Sequence, residues 1–404
     1  MKINLVTEKS KCCGCGVCKS VCPKKAIEMK EDEYGFVFPV IDYEKCIECG
    51  ACIKNCQYHC KVKKNNNIEN YAAAITAEDI FNSSSGGVFF ALANLFIELG
   101  DVVVGVATQK ENDLHVPRHV VVKNKQDLYS LQGSKYSQSD TNTIYEQTRE
   151  LLINGTKVLF SGTPCQIAGL QTYLNCEYSN LYTVDIICHG IPSVKMYNEY
   201  LKCYASKKKG EILDFKFRDK QHGWGVNMCA HIKKRNGKVA KKIIPLEMSS
   251  YYSLFLKGDI IRNSCLQCQF ASVNRVGDIT LGDYWGITKE HPEFFEQKIF
   301  EFNKGVSCVL INSSKGKEIF DIIKDIIVFQ STEISRVAKH NKQLRGPIQT
   351  SKSRQKNLEL FRDYGYNEVE RLYWSEVGIK KYYYYVKNLF PRKWRLKIKE
   401  LIGK

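Results

Sequence analysis

The sequence predicts an α+β head over residues 1–60 followed by an α/β body, and three observations carry that prediction. The spacing of Cys12, Cys15, Cys18 and Cys22 is repeated at Cys46, Cys49, Cys52 and Cys56, with two short strand-like runs between the repeats. From Thr143 onward helix-like and strand-like segments alternate, the pattern of a parallel sheet. Two of those strands end in Gly162-Thr163-Pro164-Cys165-Gln166 and Cys188-His189-Gly190-Ile191-Pro192, and ligands collect at the carboxyl ends of parallel strands.

In the head, a cubane [4Fe–4S] cluster needs four soft thiolates, three from one run and the fourth from the end of the other in a two-cluster arrangement. The spacing assigns Cys12, Cys15, Cys18 and Cys56 to one cluster, and Cys46, Cys49, Cys52 and Cys22 to a second. Gly14, Gly16 and Gly50 suit the tight backbone between ligands. Zinc also takes four cysteines, but through two C-x2-C pairs rather than a three-cysteine run with a fourth. Residues 26–29 and 36–40 are expected as strands around a turn at Asp32-Glu33-Tyr34-Gly35. The head resembles a bacterial-type ferredoxin domain, departing from it at Gln57, where the first run has Pro23.

At 404 residues the chain is long enough for two or three cores, since single cores seldom grow past about 250–300 residues. Eight of its 18 cysteines belong to the head, and residues 1–10 carry no apolar signal region, so a reducing cytoplasm is expected. The most apolar segment, residues 88–99, is interrupted by Asn94 and Glu98 and falls short of the roughly 18 residues a spanning helix needs. The net charge of +17 does not by itself choose among nucleic acid, anionic membrane, acidic partners and phosphate-bearing cofactors. Its basic residues concentrate in 379–404 and no nucleic-acid reader module appears, so nucleic acid is not expected as a partner.

Residues 61–70, with Asn65-Asn66-Asn67, read as a linker because nothing there buries apolar area, and a chain beginning at Tyr71 is expected to fold without the head. A first body domain is expected over 71–142 and a second over 143–334. In the first, a strand at 71–76 leads through Ser84, Ser85, Gly86 and Gly87 into a helix. Its unpaired N–H groups suit a pyrophosphate, or the serines simply cap it. Gly133-Ser134-Lys135-Tyr136 offers a second glycine turn beside a cation. In the second domain Cys165 and Cys188, placed by successive strands, join Cys265 and Cys268 at chelating spacing in a third [4Fe–4S] site, whereas plain core filling is the reading for Cys176, Cys203, Cys229 and Cys308. Cys13 and Cys60 lie beside the ligand runs without fitting their spacing. Arg218 and Lys220 in one stretch, and Asp278, Gly282 and Asp283 in another, stand among glycines and tryptophans. A flavin and its phosphates, an anionic substrate, or a pair of capped hairpin turns would each use such residues.

Seven motifs in order, Ser85-Gly86-Gly87, Gly133-Ser134-Lys135-Tyr136, Gly162-Thr163-Pro164-Cys165-Gln166, Cys188-His189-Gly190, Cys265 with Cys268, the run from Gly277 to Gly286, and Lys304-Gly305-Val306-Ser307, carry a resemblance. Over roughly residues 71–315 the sequence resembles the family of the coenzyme F420 hydrogenase/dehydrogenase beta subunit. The resemblance implies an iron–sulfur flavoprotein that holds FAD and exchanges hydride with a deazaflavin or another small organic substrate. It makes Ser84, Ser85, Gly86, Gly87, Ser134, Lys135, Tyr136, Arg218, Lys220, Asp278, Gly282 and Asp283 the residues expected around cofactor and substrate. A flavin converts hydride to single electrons, so the head becomes the port for a one-electron carrier or redox partner protein. An electron-transfer subunit without its own substrate site, or a reductase of surface-polysaccharide biosynthesis, are the alternatives. Residues 335–404 are expected as a solvated basic tail, in which Trp394, Leu396, Ile398, Leu401 and Ile402 among cations permit contact with an anionic membrane surface.

Overall fold

The computed structural model describes residue 5, residues 8–221 and residues 223–389. In the head, β1 (Ile27–Glu31) and β2 (Val37–Ile41) pair antiparallel with Ile27 opposite Ile41. Asp32 closes their turn by accepting the N–H groups of Tyr34 and Phe36 at 3.0 and 2.9 Å. Two one-turn helices, Val17–Ser20 and Ala51–Lys54, each follow a glycine of a cysteine run. Gly16 is needed twice over, because its φ is 82° and a Cβ there would lie 2.7 Å from Thr141 Oγ1 of the body.

The body is built on an eight-stranded sheet. Its strands are β3 (Glu69–Ile75), β4 (Val102–Glu111), β5 (Leu114–Val122), β6 (Val158–Gly162) and β7 (Leu181–Ile186), and, after an excursion, β11 (Ile279–Asp283), β12 (Ser307–Ile311) and β13 (Ile327–Ser331). The excursion is a separate antiparallel sheet of β8 (Gly210–Lys216), β9 (Asn227–Lys234) and β10 (Val239–Pro245). Strand order in the large sheet is β13-β3-β12-β11-β7-β6-β4-β5. The parallel pattern predicted from the alternation holds for β4, β6, β7 and β11, while β5, β12, β3 and β13 pair antiparallel, so the sheet is mixed.

β12 is buried at every position, as its Cys-Val-Leu-Ile run demands of a strand covered on both faces. Next to it the small side chains of Ala72 and Ala73 in β3 let the segment leading into helix Val88–Glu98 cross close above the sheet. Gly86 marks the crossing, since a Cβ there would stand 2.2 Å from the Ala73 carbonyl oxygen. Val88, Ala91, Leu92 and Phe96 then form the buried stripe of that helix.

The head is packed into the body at two places. Val17 shares a core with Ile144, Tyr145, Phe160 and Ile167, and Phe36 and Phe38 share another with Met196, Tyr200 and Tyr251. Residues 61–70, expected to be a linker, are stitched down mainly by polar groups, with Val62 alone packing against the Val17–Tyr145 core. Asn65 and Arg275 exchange both backbone hydrogen bonds, at 2.6 and 3.2 Å, and Lys64 Nζ donates to the Gln269 carbonyl at 2.6 Å. The expected solvated tail is also partly core: helices Arg354–Tyr364 and Tyr366–Val377 bury Leu358, Phe361, Tyr366, Val369 and Tyr373 against the Tyr200–Tyr251 cluster. Among the described residues of this tail, helix Lys380–Leu389 keeps the exposed character, with Tyr382 at 70% exposure. The membrane-contact residues Trp394, Leu396, Ile398, Leu401 and Ile402 lie outside the described residues. Among those described, no helix is long and apolar enough to cross a membrane.

Candidate functional site

The eight head cysteines separate into the two expected sets. Cys22, Cys46, Cys49 and Cys52 line one pocket together with Pro23, Ile27, Ile41 and Ile47. Cys12, Cys15, Cys18 and Cys56 form the other set, close enough that each thiol is felt by its neighbours. Burial pushes Cys18 well up and Cys56 to about 11. Burial also raises Cys12, against the opposing pull of the Arg262 guanidinium.

A third set forms where the parallel strands end. β6 runs into a Thr163–Gln166 capping box, in which Gln166 Oε1 accepts the Thr163 N–H at 3.0 Å and so fixes the first turn of helix Pro164–Leu174, the turn that carries Cys165. β7 ends just before Cys188. These two thiols, with Cys265, Cys268, Cys13, Tyr58 and His189, ring a pocket. Burial raises Cys188 well above the usual thiol range and Cys265 to about 12, so only a bound cation would make these groups thiolates. Among the described residues no three His, Cys, Asp or Glu side chains are drawn together tightly enough for a single metal ion. Four thiols spread around a pocket suit a cluster, whose ligands bond separate iron atoms, and all three donor sets are entirely sulfur.

Two arginines that the sequence reading missed hold these loops. Arg275 is buried against Asp185, with Nη2 to Oδ1 at 2.9 Å, while Asp185 Oδ2 accepts the Gly277 N–H at 3.0 Å. This anchors the loop after Cys268 to β7. Arg262, fully buried, donates from Nε to the Cys12 carbonyl at 2.6 Å and from Nη2 to the Val37 carbonyl at 2.8 Å, and lies over the Phe38 ring at 4.1 Å. Arg262 thus ties the first and third cysteine sites. Its only sequence signal is a cation three residues before Cys265.

Five of the twelve residues expected around flavin and substrate, Ser84, Ser134, Tyr136, Arg218 and Asp283, meet at the same end of the sheet, where β11 stops. Arg218 forms a bidentate pair with Asp283 at 2.7 and 2.8 Å, and also donates to the Gly225 and Ser84 carbonyls and to Tyr136 Oη. All five of its donors are used. Trp224 Nε1 donates to Asp283 Oδ1 at 2.8 Å, and its ring stacks on Trp285 at 5.2 Å with only 4° between planes. The Ser84 and Ser134 hydroxyls face each other at 2.8 Å.

The other candidates do different work. Lys220 donates to the carbonyls of Ile80, Ser85 and Lys304, acceptors that favour an ammonium, while burial and then the Arg218 charge pull its pKa down to about 7. Lys135 caps the carbonyls of Ser130, Leu131 and Gln132. Ser85 and Gly86 are tied to the start of β12 through the Val306 carbonyl and Ser307 Oγ, and a Cβ on Gly87, which caps the helix in place of a serine, would strike Ile75. Gly282 lies inside the sheet beneath Ile187 and Cys308. Asp278 does not join the group: it accepts from Thr183 N, Thr183 Oγ1 and Ser313 Oγ at the opposite end of β11, about 16 Å of strand away from Asp283.

Three family models match the chain: the 4Fe-4S dicluster domain over residues 11–60, and the N-terminal and C-terminal parts of the coenzyme F420 hydrogenase/dehydrogenase beta subunit over residues 70–145 and 155–336. The chain belongs to the family of the coenzyme F420 hydrogenase/dehydrogenase beta subunit. This family member carries an iron–sulfur head. It is 22% identical over 404 residues to an F(420)H(2) dehydrogenase subunit of Methanosarcina mazei, covering 94% of this chain and 98% of that one. It is 24% identical over 344 residues to an uncharacterized protein of Methanocaldococcus jannaschii, covering 78% of this chain and 87% of the other. A chain from the F420-reducing [NiFe] hydrogenase complex of Methanosarcina barkeri aligns with a TM-score of 0.44 and 19% identity, over 75% of this chain and 95% of that chain.

Proposed function

We propose that the chain passes electrons between a one-electron redox partner protein, met at the head, and FAD in the body, where hydride is exchanged with a deazaflavin or another small organic substrate. The observation that carries this reading is the gathering of twelve cysteines into three all-sulfur sets, the third at the end of the sheet that also assembles Arg218, Asp283 and Tyr136. When bound, the clusters supply one-electron steps and the flavin supplies the conversion to hydride. The cysteine sets as assigned would hold the clusters. Ser84, Ser134 and Tyr136 would meet the flavin, beside a turn at Gly133 that faces open space, since a Cβ there meets nothing within 4 Å. Rings of His189, Phe255 and Tyr136, each 4.9 Å from the next, link the Cys188 pocket to Arg218. A relative that is a subunit of an F(420)H(2) dehydrogenase supports a deazaflavin as substrate.

The test is the iron, sulfide and acid-released flavin content of anaerobically purified protein. About 12 iron atoms with FAD support the reading, whereas about 8 iron atoms without flavin reduce it to a ferredoxin-type carrier. A second reading, an electron-transfer subunit with no substrate site of its own, is favoured by the full internal pairing of Arg218. Turnover of the isolated chain with a small hydride donor separates the two.

A further inference from the structure

One buried thiol belongs to none of the three sets and lies between two of them. Cys13 is 8% exposed, lines the pocket of Cys165, Cys188, Cys265 and Cys268, and has its sulfur within hydrogen-bonding reach of Cys15 in the first set and Cys165 in the third. Gln57, 2% exposed, follows the fourth cysteine of the first set. Its Nε2 donates to Cys13 Sγ at 3.0 Å and to the Cys165 carbonyl at 2.9 Å. Gln269, next to Cys268, donates in turn to the Gln57 carbonyl at 3.2 Å. Gln57 therefore stands where the first run has Pro23 because an amide is used there and proline has none to offer.

We propose that Cys13 and Gln57 form a hydrogen-bonded strap shared by the first and third cysteine sites, through which the reduction potential of each depends on the state of the other. The proposal rests on the third site holding a [4Fe–4S] cluster. Cys13 has one S–H, which can be given to the sulfur of Cys15 or to that of Cys165, but not to both at once. A hydrogen bond to a ligand sulfur stabilises added negative charge and raises the potential of that site. An electron held at one site draws the S–H to that side and withdraws it from the other, which becomes harder to reduce. No covalent bond forms or breaks, and the proton stays on Cys13. Gln57 holds the Cys13 sulfur in place by donating to it, so Gln57 is a positioning residue for the strap. The burial of both side chains keeps water from substituting for either hydrogen bond.

The test is a potentiometric titration of full-length, anaerobically purified protein followed by electron paramagnetic resonance, on wild type, Cys13→Ala, Cys13→Ser and Gln57→Leu. Iron content is read first: wild type with about 8 atoms removes the third site itself, before any variant is compared. With about 12 atoms in wild type and variants, Cys13→Ala is expected to lower the midpoint potentials of both sites together and to shrink the interaction between them. Gln57→Leu should shift them the same way by less. Cys13→Ser, which keeps a hydrogen on the bridging atom, should recover most of the wild-type behaviour. Unchanged potentials in Cys13→Ala, or movement of one site alone, overturns the proposal. Loss of about 4 iron atoms in Cys13→Ala also overturns it, by making Cys13 a ligand.

Discussion

Deleting residues 1–60, so that the chain begins at Lys61 and keeps all of β3, is expected to destabilise the body instead of releasing it as a free-standing domain. Val17, Phe36 and Phe38 are 1, 3 and 9% exposed and pack into cores made mostly of body residues. Side chains of this kind contribute about 1.5–3 kcal/mol each when buried, so the cut removes roughly 5–9 kcal/mol of burial. A typical domain has only about 5–15 kcal/mol in total. Arg262 also loses its acceptors on Cys12 and Val37, leaving a guanidinium in a newly opened cleft. Urea unfolding followed by tryptophan fluorescence, with binding of a hydrophobic dye, measures the outcome. The truncated chain should unfold at much lower urea and bind dye before it unfolds. Dye binding reads the uncovered surface itself, so it is not confounded by the loss of the head's clusters. A truncated chain that stays monomeric, binds no more dye than the full chain and unfolds at the same urea concentration would refute the reasoning.

Cys165→Ser should take iron from about 12 to about 8 atoms per chain with the fold retained by circular dichroism, and an unchanged count would remove the third cluster. Asp283→Asn leaves the Arg218 guanidinium, whose side chain is 1% exposed, without its charge partner; a loss of about 3–5 kcal/mol in urea unfolding is expected, and one below about 1 kcal/mol would show that water reaches the site. Burial holds the His119 imidazole down to about 4 from an ordinary 6.5. The unfolded chain therefore takes up the proton first, so the contribution of neutral His119 is complete above about pH 6.5 and is lost as pH falls towards 4, by up to about 3 kcal/mol. His119→Phe should flatten the stability profile by that amount over that window, and parallel profiles would show that the ring is wet.

The parts of this molecule that are legible in its sequence are those specified by short-range pattern. The cysteine runs, the β1–β2 turn at Asp32 and the strands leading to Cys165 and Cys188 are set by residues a few positions apart, and all are present. β3 is readable as a strand, but not its place between β12 and β13, because ladder partners leave no mark at a distance. The antiparallel sheet of β8, β9 and β10 lacks any period strong enough to announce it. Asp278 groups with Asp283 by sequence because they are neighbours there, yet an extended strand carries them to opposite ends of the sheet. Residues 61–70 look free because composition reports apolar area and says nothing of backbone pairing. Arg262 and Gln57 act through carbonyls and a sulfur supplied by distant loops, so their roles exist only once the chain has folded.

The Arg262 contact also sets an order of events during synthesis. Cys12 leaves the ribosome early, but the guanidinium that holds its carbonyl is 250 residues downstream. At about 5–20 residues per second, that interval is roughly 12–50 s. Over this time β3 has neither of its neighbours and the amino-terminal thiols have no cleft to settle into. Iron delivered to the head before residue 262 has emerged would meet a loop without its clamp.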